Sequence, residues 1–270
     1  SLSWMYYGDR LMEFPLGLFG VALSVVILPT LSSQHARATT DAFVATLTWA
    51  VRLGVLIALP AAVGLAMLAE PIATTLFQYG EFATEDVRMT ALALLAYCLG
   101  LPAFIGVKIL APGFYSRQDT RTPVRIAVLA LIANMGLNVL FVLAIVAWLA
   151  GGDFGGGLFA TLAAHPGAHV GLALASSASA WLNAGLLWRH LGRDGLAPSP
   201  GVRPLAAAVL GCLGMAAALL GLVPDVGWWI AADLPERIGA LAAAVAGGAL
   251  VYALLLAAAG VRPHQLLRPG

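Results

Sequence analysis

Three charged residues, Asp9, Arg10 and Glu13, lie close together in a stretch that is otherwise apolar from Leu2 to Leu31. At helical spacing Asp9 and Glu13 are four residues apart on one face, and Arg10 is three residues before Glu13, so the acids can partly neutralise the arginine. A charge at the centre of a membrane helix costs about 2.5–3.5 kcal/mol on insertion scales, so such residues usually face a partner, a water-filled cavity or a substrate path. The cluster therefore indicates a mixed-charge site, not a purely cationic one.

Four more polar residues fall inside apolar stretches: Arg52, Lys108, Asn134 and Asn138. Arg52 and Lys108 lie near enough to a helix end for their long side chains to snorkel to the interface, and a cavity role is the alternative. Asn134 and Asn138 are one turn apart on one helix face. They can hydrogen-bond a neighbouring helix or offer carbonyl oxygens to a cation. The residues alone leave both pairs of alternatives open.

No metal, cofactor or nucleic-acid site is predicted. His165 and His169 are four residues apart, but Pro166 and Gly167 between them disfavour a regular helix face, and zinc would need further ligands. The formal net charge of +1, without a basic patch or charge run, gives no reason to expect nucleic-acid binding. The only lysine, Lys108, lies outside the last helix, which excludes a retinal Schiff base there.

Composition defines the elements that must position these residues. With 61% hydrophobic and 10% charged residues, the chain is far from the composition of a soluble domain. A helix needs about 20 apolar residues to cross roughly 30 Å of hydrocarbon. The sequence therefore predicts an all-α polytopic membrane protein with seven transmembrane helices, at approximately 3–32, 46–69, 88–115, 124–149, 169–191, 203–223 and 236–260.

The basic residues between these spans are distributed unequally. Two, Arg88 and Arg237, fall at one set of helix ends, and nine fall at the other set: Arg37, Arg117, Arg121, Arg125, Arg189, Arg193, Arg203, Arg262 and Arg268. The positive-inside rule then places the N-terminus outside and the C-terminus in the cytoplasm. Trp148, Trp228 and Trp229 are interpreted as an outer aromatic belt. An odd helix count with an outside start predicts a further N-terminal part.

Three segments resemble one family of bacterial transporters. They are the run Ser3-Trp4-Met5-Tyr6-Tyr7-Gly8-Asp9-Arg10-Leu11-Met12-Glu13-Phe14-Pro15, the run Leu76-Phe77-Gln78-Tyr79-Gly80, and the run from Leu110 to Pro123. They are similar to segments of the MurJ (MviN) lipid II flippases, which belong to the superfamily of multidrug, oligosaccharidyl-lipid and polysaccharide exporters. The first run resembles the eighth transmembrane helix of that family, and the resemblance extends over most of the chain.

The resemblance implies a MATE-like fold of fourteen helices, of which this chain would be the C-terminal half, helices 8–14. Residues 1–200 would form the C-terminal transport lobe with about five helices, and residues 201–270 the additional C-terminal pair, which makes a lipid-facing groove for an isoprenoid tail. The partners implied are lipid II, the phospholipid bilayer of the bacterial inner membrane and the N-terminal half of the same transporter.

The resemblance also implies a mechanism without covalent chemistry, and hence a transporter that is not an enzyme. Two lobes would rock around a cavity that receives the diphosphate and sugar headgroup. Arg10 matches a cavity arginine whose paired donors fit phosphate oxygens, and its acidic neighbours Asp9 and Glu13 would prevent permanent capture. Arg52 and Lys108 are further candidates for substrate binding.

Asn134 and Asn138 match a turn that holds sodium in some family members, but two amides stand here where an acid can occur. Sodium, protons and the membrane potential therefore all stay open as the coupling. Two other readings of the chain also stay open: a different exporter of the superfamily, for drugs or O-antigen precursors, and a noncatalytic membrane scaffold.

Overall fold

The computed structural model describes residues 2–151, 160–161 and 164–261, and within these ranges the chain is all helical. A π-helical turn, Leu16–Val21, joins the first two α-helices, and a short 3₁₀ turn, Pro166–Ala168, precedes α8. The α-helices described are α1 Leu2–Pro15, α2 Ala22–Ala36, α3 Thr40–Met67, α4 Ala69–Phe77, α5 Thr84–Cys98, α6 Leu101–Tyr115, α7 Arg121–Leu149, α8 His169–Arg193, α9 Val202–Leu222, α10 Val226–Ala231 and α11 Leu234–Ala258.

Six helical segments of the described chain are long and apolar enough to cross a membrane, and there are seven if the bent pair α5–α6 counts as one span. α1, the π-helical turn and α2 together form one of them, Ser3–Ala36. Pro15 lacks the N–H that a regular helix would use, and the wider π turn begins directly after it. The short helices α4 and α10 were not expected from hydropathy, because neither is long enough to span.

The segment expected as one helix over 88–115 is instead bent by 42° between α5 and α6. Pro102 has no N–H to donate to the Cys98 carbonyl, and the helix is interrupted between Cys98 and Leu101. Two side chains of α8 donate to other carbonyls beside this break: Ser177 Oγ to the Ala96 carbonyl at 2.7 Å, and Trp181 Nε1 to the Leu99 carbonyl at 2.8 Å. The contacts with α8 thus stabilise the bend.

Polar contacts bring the loops together at two ends of the bundle. At one end Arg117 Nη1 forms an ion pair with Asp194 Oδ2 at 2.9 Å, and Gln34 Nε2 donates to Thr46 Oγ1 at 2.9 Å. We call this the arginine-rich end, because it carries Arg37, Arg117, Arg121, Arg125, Arg189, Arg193 and Arg203. Arg262 and Arg268, counted above for the same end, lie outside the described residues.

The opposite end is closed by α10 and the start of α11. The Arg237 guanidinium donates to the carbonyls of Ala232 at 2.9 Å and Thr74 at 3.3 Å, and so ties α11 to α4. Trp229 is 1% exposed, and its indole N–H donates to the Pro224 carbonyl at 3.2 Å. Its interpretation as an interfacial anchor is therefore wrong, since the ring is buried within the protein.

Helices α9 and α11, the C-terminal pair, pack against each other and against α3. An added Cβ at Gly211 would lie 2.8 Å from the Tyr252 ring, so this glycine permits the close approach of α9 to α11. The Tyr252 hydroxyl donates to the Leu56 carbonyl of α3 at 2.8 Å. In a regular helix that carbonyl would accept from residue 60, which is Pro60 and has no N–H. Tyr252 therefore replaces the hydrogen bond that proline removes.

Tyr252→Phe is expected to destabilise the chain by about 1–3 kcal/mol, because it leaves the buried Leu56 carbonyl without a donor. Adding Pro60→Ala restores an N–H to that carbonyl, so the same Tyr252→Phe change is expected to cost much less in the Pro60→Ala background. Thermal unfolding of the four proteins in detergent measures this coupling. Equal costs in both backgrounds would contradict the assignment.

Asp119 stands in the turn between α6 and α7 and accepts a hydrogen bond from the Thr122 backbone N–H at 3.0 Å. Hydrogen bonds from the Thr122 hydroxyl and backbone hold the pKa of Asp119 below its ordinary value of 3.8. The carboxylate therefore adds stability above about pH 3.8, and this stability is lost as the pH falls through the lower folded-state pKa.

Asp119→Asn is expected to lower the unfolding temperature at neutral pH, with the difference from wild type shrinking below about pH 4 as Asp119 itself is protonated. Parallel melting curves from pH 7 to pH 3 measure it. A difference that grows toward acid would show that the carboxylate has the opposite effect.

Candidate functional site

The charged cluster of α1 contains an ion pair. Arg10 Nη1 lies 2.9 Å from Glu13 Oε2, and the two side chains are 59% and 49% exposed. The Arg10 guanidinium carbon also lies 5.1 Å from the centre of the Tyr6 ring. Arg10 is thus held by one acid and one aromatic ring on its own helix while its charge stays accessible. This is the partial neutralisation that the spacing of the residues predicts.

The other face of α1 is buried against α5. An added Cβ at Gly8 would lie 3.2 Å from the Leu94 backbone nitrogen, so only a glycine allows this approach without displacement. Met12, one turn further on, is 4% exposed, and Asp9 is half-buried between the two faces. Close packing on this side leaves Tyr6, Arg10 and Glu13 on the open side.

Contacts at the end opposite the arginine-rich end fix the start of α1. Trp4 Nε1 donates to Asp86 Oδ1 at 2.7 Å, and the Trp4 ring lies 5.3 Å from the His169 ring. Asp86 also accepts from the Ala83 backbone N–H at 2.8 Å, so the same carboxylate caps α5. Sequence reasoning gave neither Trp4 nor Asp86 a role of its own. Asp86, in the first turn of α5, carried a helix-start signal that could have found it.

Aromatic rings pack beside the charged cluster of α1. The Tyr7 ring lies 4.5 Å from that of Phe77 and 5.5 Å from that of Phe82, centre to centre. Phe77 belongs to the Leu76–Gly80 segment that carried part of the family resemblance. That segment therefore supports the charged helix from the side, and Tyr7 is the link between them.

Arg52 and Lys108 are placed in different surroundings. Arg52 Nε donates to the Pro200 carbonyl at 3.1 Å, so α3 holds the connection that leads into α9. The stem of Lys108 lies over the π-helical turn, where an added Cβ at Gly20 would be 3.4 Å from Lys108 Cγ. Lys108 also lines a cavity of about 260 Å³ together with Asn134 and Asn183.

Asn134 and Asn138 form a hydrogen-bonded chain that reaches α8. Asn138 Nδ2 donates to Asn134 Oδ1 at 2.9 Å, and Asn134 Nδ2 to Ser179 Oγ at 3.2 Å. The helix-to-helix hydrogen bond is therefore present. The Oδ1 of Asn138 is buried and accepts no hydrogen bond from the residues that the structure describes. Sequence reasoning missed Asn183, whose place in the Lys108 cavity depends on how α6 and α8 pack.

An apolar groove of about 520 Å³ runs between α3, α9 and α11, and we call it the first groove. Phe14 and Pro15 line its edge beside α1, and Tyr252 lies in its wall. Phe14 follows Arg10 by four residues, so the two share one face of α1. A cationic group and an apolar groove are therefore adjacent, an arrangement that suits an amphiphile with an anionic head and a long apolar tail.

The fold and this site define a polytopic helical membrane protein with a charged cluster in one span. A family model described as lipid II flippase MurJ matches residues 1–238. The chain is 40% identical over 268 residues to the probable lipid II flippase MurJ of Vibrio cholerae, covering 98% of this chain and 47% of that protein. It is 40% identical over 275 residues to the corresponding protein of Haemophilus influenzae, covering 99% of this chain and 49% of that one.

The chain belongs to the lipid II flippase MurJ family. A solved structure described as lipid II flippase MurJ in an inward closed conformation has the same fold, with a TM-score of 0.69 at 23% identity over 98% of this chain and 48% of that one. The chain therefore spans about half the length of the relatives it matches.

Proposed function

We propose that the chain is the C-terminal half of a fourteen-helix, MATE-like flippase in the bacterial inner membrane, with seven spans when α5–α6 counts as one. It moves undecaprenyl-diphosphate-linked muropeptide, lipid II, from the inner to the outer leaflet by alternating access, with no covalent step. The observation that carries this proposal is that Phe14, one helical turn after Arg10, lines the first groove, because lipid II joins a diphosphate to a long apolar chain.

Arg10 binds the diphosphate through its paired donors, and Glu13 and Asp9 compete for it, so the substrate is released after crossing. The first groove, between α3 and the C-terminal pair of the 201–270 domain, takes the isoprenoid tail. Lys108, at the π-helical turn, lines a separate cavity with Asn134 and Asn183 and is a further contact for the headgroup. For Arg52 the bond to Pro200 supports a positioning role more directly than contact with substrate.

By the positive-inside rule we propose that the arginine-rich end lies in the cytoplasm and the N-terminus of this chain outside. In the described residues that end carries seven of the arginines between the spans, against Arg88 and Arg237 at the other. The coupling stays a prediction. The buried Oδ1 of Asn138 is an oxygen available to sodium, whereas two amides bring no charge to hold a cation, so protons and the membrane potential stay open.

Complementation tests the function. The chain, expressed with the N-terminal half encoded in the same genome, is introduced into a bacterium whose own lipid II flippase is depleted, and membrane abundance is measured alongside. Growth rescue by the pair, but by neither half alone, is the expected result. A well-expressed pair that fails to rescue would overturn the lipid II assignment and leave another exporter of the superfamily, or a scaffold, as the function.

A further inference from the structure

A second groove lies between α3, α6, α8 and α9, separate from the one beside Tyr252. It encloses about 340 Å³, and its lining is almost entirely apolar, including Val55, Ile109 and the two indoles Trp181 and Trp188. On α3 its walls run from Val51 to Leu59, which at 1.5 Å per residue gives a length of about 12 Å. Neither Arg10 nor Phe14 lines it, so the path proposed for lipid II does not account for it.

Different residues line the two ends of this second groove. Pro102 and Trp181 lie at one end, where the Trp181 indole N–H donates to the Leu99 carbonyl at 2.8 Å. Leu205, in the first turn of α9, lies at the other end, which we call the mouth. That end coincides with the arginine-rich end, because α3 and α9 begin there and α8 ends there.

Two arginines flank the mouth. Arg52 precedes Val55 by three residues and Leu59 by seven, so it continues the α3 wall of the groove, and its Nε is anchored on the Pro200 carbonyl at 3.1 Å. Arg189 follows Gly185, which lines the groove, by four residues on α8. A helical side chain leans over the turn that precedes it, so Arg189 covers the open space beside Gly185, where no atom lies within 4 Å of an added Cβ.

The charge at this mouth is positive. Asp194, the acid nearest to Arg189 in sequence, is already paired with Arg117 at 2.9 Å. Basic groups between membrane helices at the interface attract anionic lipid headgroups, and a narrow apolar groove accepts a single acyl chain. The larger first groove beside Arg10 suits the polyprenyl chain better.

We propose that the second groove is a binding site for an anionic glycerophospholipid, with one acyl chain along Trp188 and Trp181 and the headgroup phosphate bound by Arg52 and Arg189. The site joins α3, α6, α8 and α9, so a bound lipid stabilises the packing of the C-terminal pair against the transport lobe. This proposal stands whether or not the chain transports lipid II.

Quenching of tryptophan fluorescence tests the site directly, because the indole side chains of Trp181 and Trp188 line it. The chain is reconstituted in phosphatidylcholine vesicles containing a small fraction of phosphatidylglycerol with brominated acyl chains, or the same fraction of brominated phosphatidylcholine. We expect stronger quenching by the anionic lipid. Trp188→Phe is expected to remove a large part of this difference, while Trp148→Phe, at an indole that is 80% exposed and outside the groove, keeps it.

The arginine variants measure the headgroup contribution. Arg189→Gln is expected to weaken the preference for the anionic lipid about fivefold, as expected for loss of one basic residue near the membrane surface, and Arg52→Gln with Arg189→Gln to abolish it. Arg189 is exposed, so its single variant keeps the test valid if changing Arg52 disturbs folding. Arg203→Gln is the matched control, because Arg203 Nη2 points toward Gly260 near the end of α11.

Equal quenching by the two brominated lipids in the wild-type chain would overturn the proposal. So would a preference that survives Arg189→Gln and the double variant unchanged. Displacement of the brominated phosphatidylglycerol by undecaprenyl phosphate, but not by unlabelled phosphatidylglycerol, would assign the groove to a polyprenyl lipid and would also overturn it.

Discussion

Arg10→Ala is expected to abolish rescue of a flippase-depleted bacterium while leaving the membrane abundance of the protein unchanged. The Arg10 side chain is 59% exposed, and within the described part of the chain it pairs only with Glu13 on its own helix, so its removal costs little folding stability. The loss therefore falls on substrate binding, where a guanidinium bound to a diphosphate forms charge-assisted hydrogen bonds. Complementation by plating, with quantitative immunoblotting of membranes, measures both quantities.

Three variants make this result decisive. Arg10→Lys should keep part of the activity if positive charge suffices, and little of it if the paired geometry of the guanidinium is needed. Arg203→Ala, a change of the same type at the arginine-rich end, should rescue fully. Glu13→Gln leaves Arg10 in place without its acidic partner and should retain binding but slow release. Full activity in Arg10→Ala would remove Arg10 from the substrate path, and a parallel loss of abundance would favour a packing role.

Gly171→Ala is expected to destabilise the fold strongly although alanine is the better helix former. An added Cβ at Gly171 would lie 2.8 Å from the Val142 backbone nitrogen and 3.0 Å from the Phe141 carbonyl carbon, and backbone atoms cannot rotate away as a side-chain tip can. Helices α7 and α8 would have to separate, which costs about 1–3 kcal/mol in an overpacked core. Thermal unfolding of the detergent-solubilised chain measures it.

Gly136→Ala on α7 is the matched control, since no atom lies within 4 Å of its added Cβ. It should leave the unfolding temperature unchanged or raise it slightly, because the propensity gain of about 1 kcal/mol is not offset by a clash. Equal unfolding temperatures for the two variants would mean that α7 and α8 are not held as closely as the structure has them.

Hydropathy alone predicted six of the long helices, with differences of a few residues at most ends, whereas the helix expected over 88–115 is divided into α5 and α6. Each span must form its backbone hydrogen bonds within its own helix inside hydrocarbon. A continuous apolar run of the sequence therefore determines its length and position. The exceptions are instructive. The bend after Cys98 follows from Pro102, but its angle depends on Ser177 and Trp181 of another helix. Trp229 lies near charged residues as a belt tryptophan would, yet its ring is buried within the protein.

The candidate site likewise contains some contacts that the sequence predicts and others that depend on tertiary packing. The Arg10–Glu13 pair is a contact between residues three apart on one helix, so spacing alone predicts it. The same is true of the bond between Asn134 and Asn138. The place of Lys108 at the π-helical turn and the bond from Arg52 to Pro200 join residues far apart in the chain. No local pattern distinguishes these two cations, and their different surroundings came only with the packing.

By itself the sequence determined that the chain is helical and membrane-spanning, that its arginines collect at one end, and that an ion pair stands within the first span. These properties depend on composition and on neighbours within one turn. Only the tertiary structure decided which face of α1 stays open and which residues line the two grooves. Which helix faces are buried depends on the close packing of several helices at once, through contacts such as Gly8 with Leu94 and Tyr252 with Leu56. Such contacts join residues far apart in the sequence, so no local periodicity predicts them.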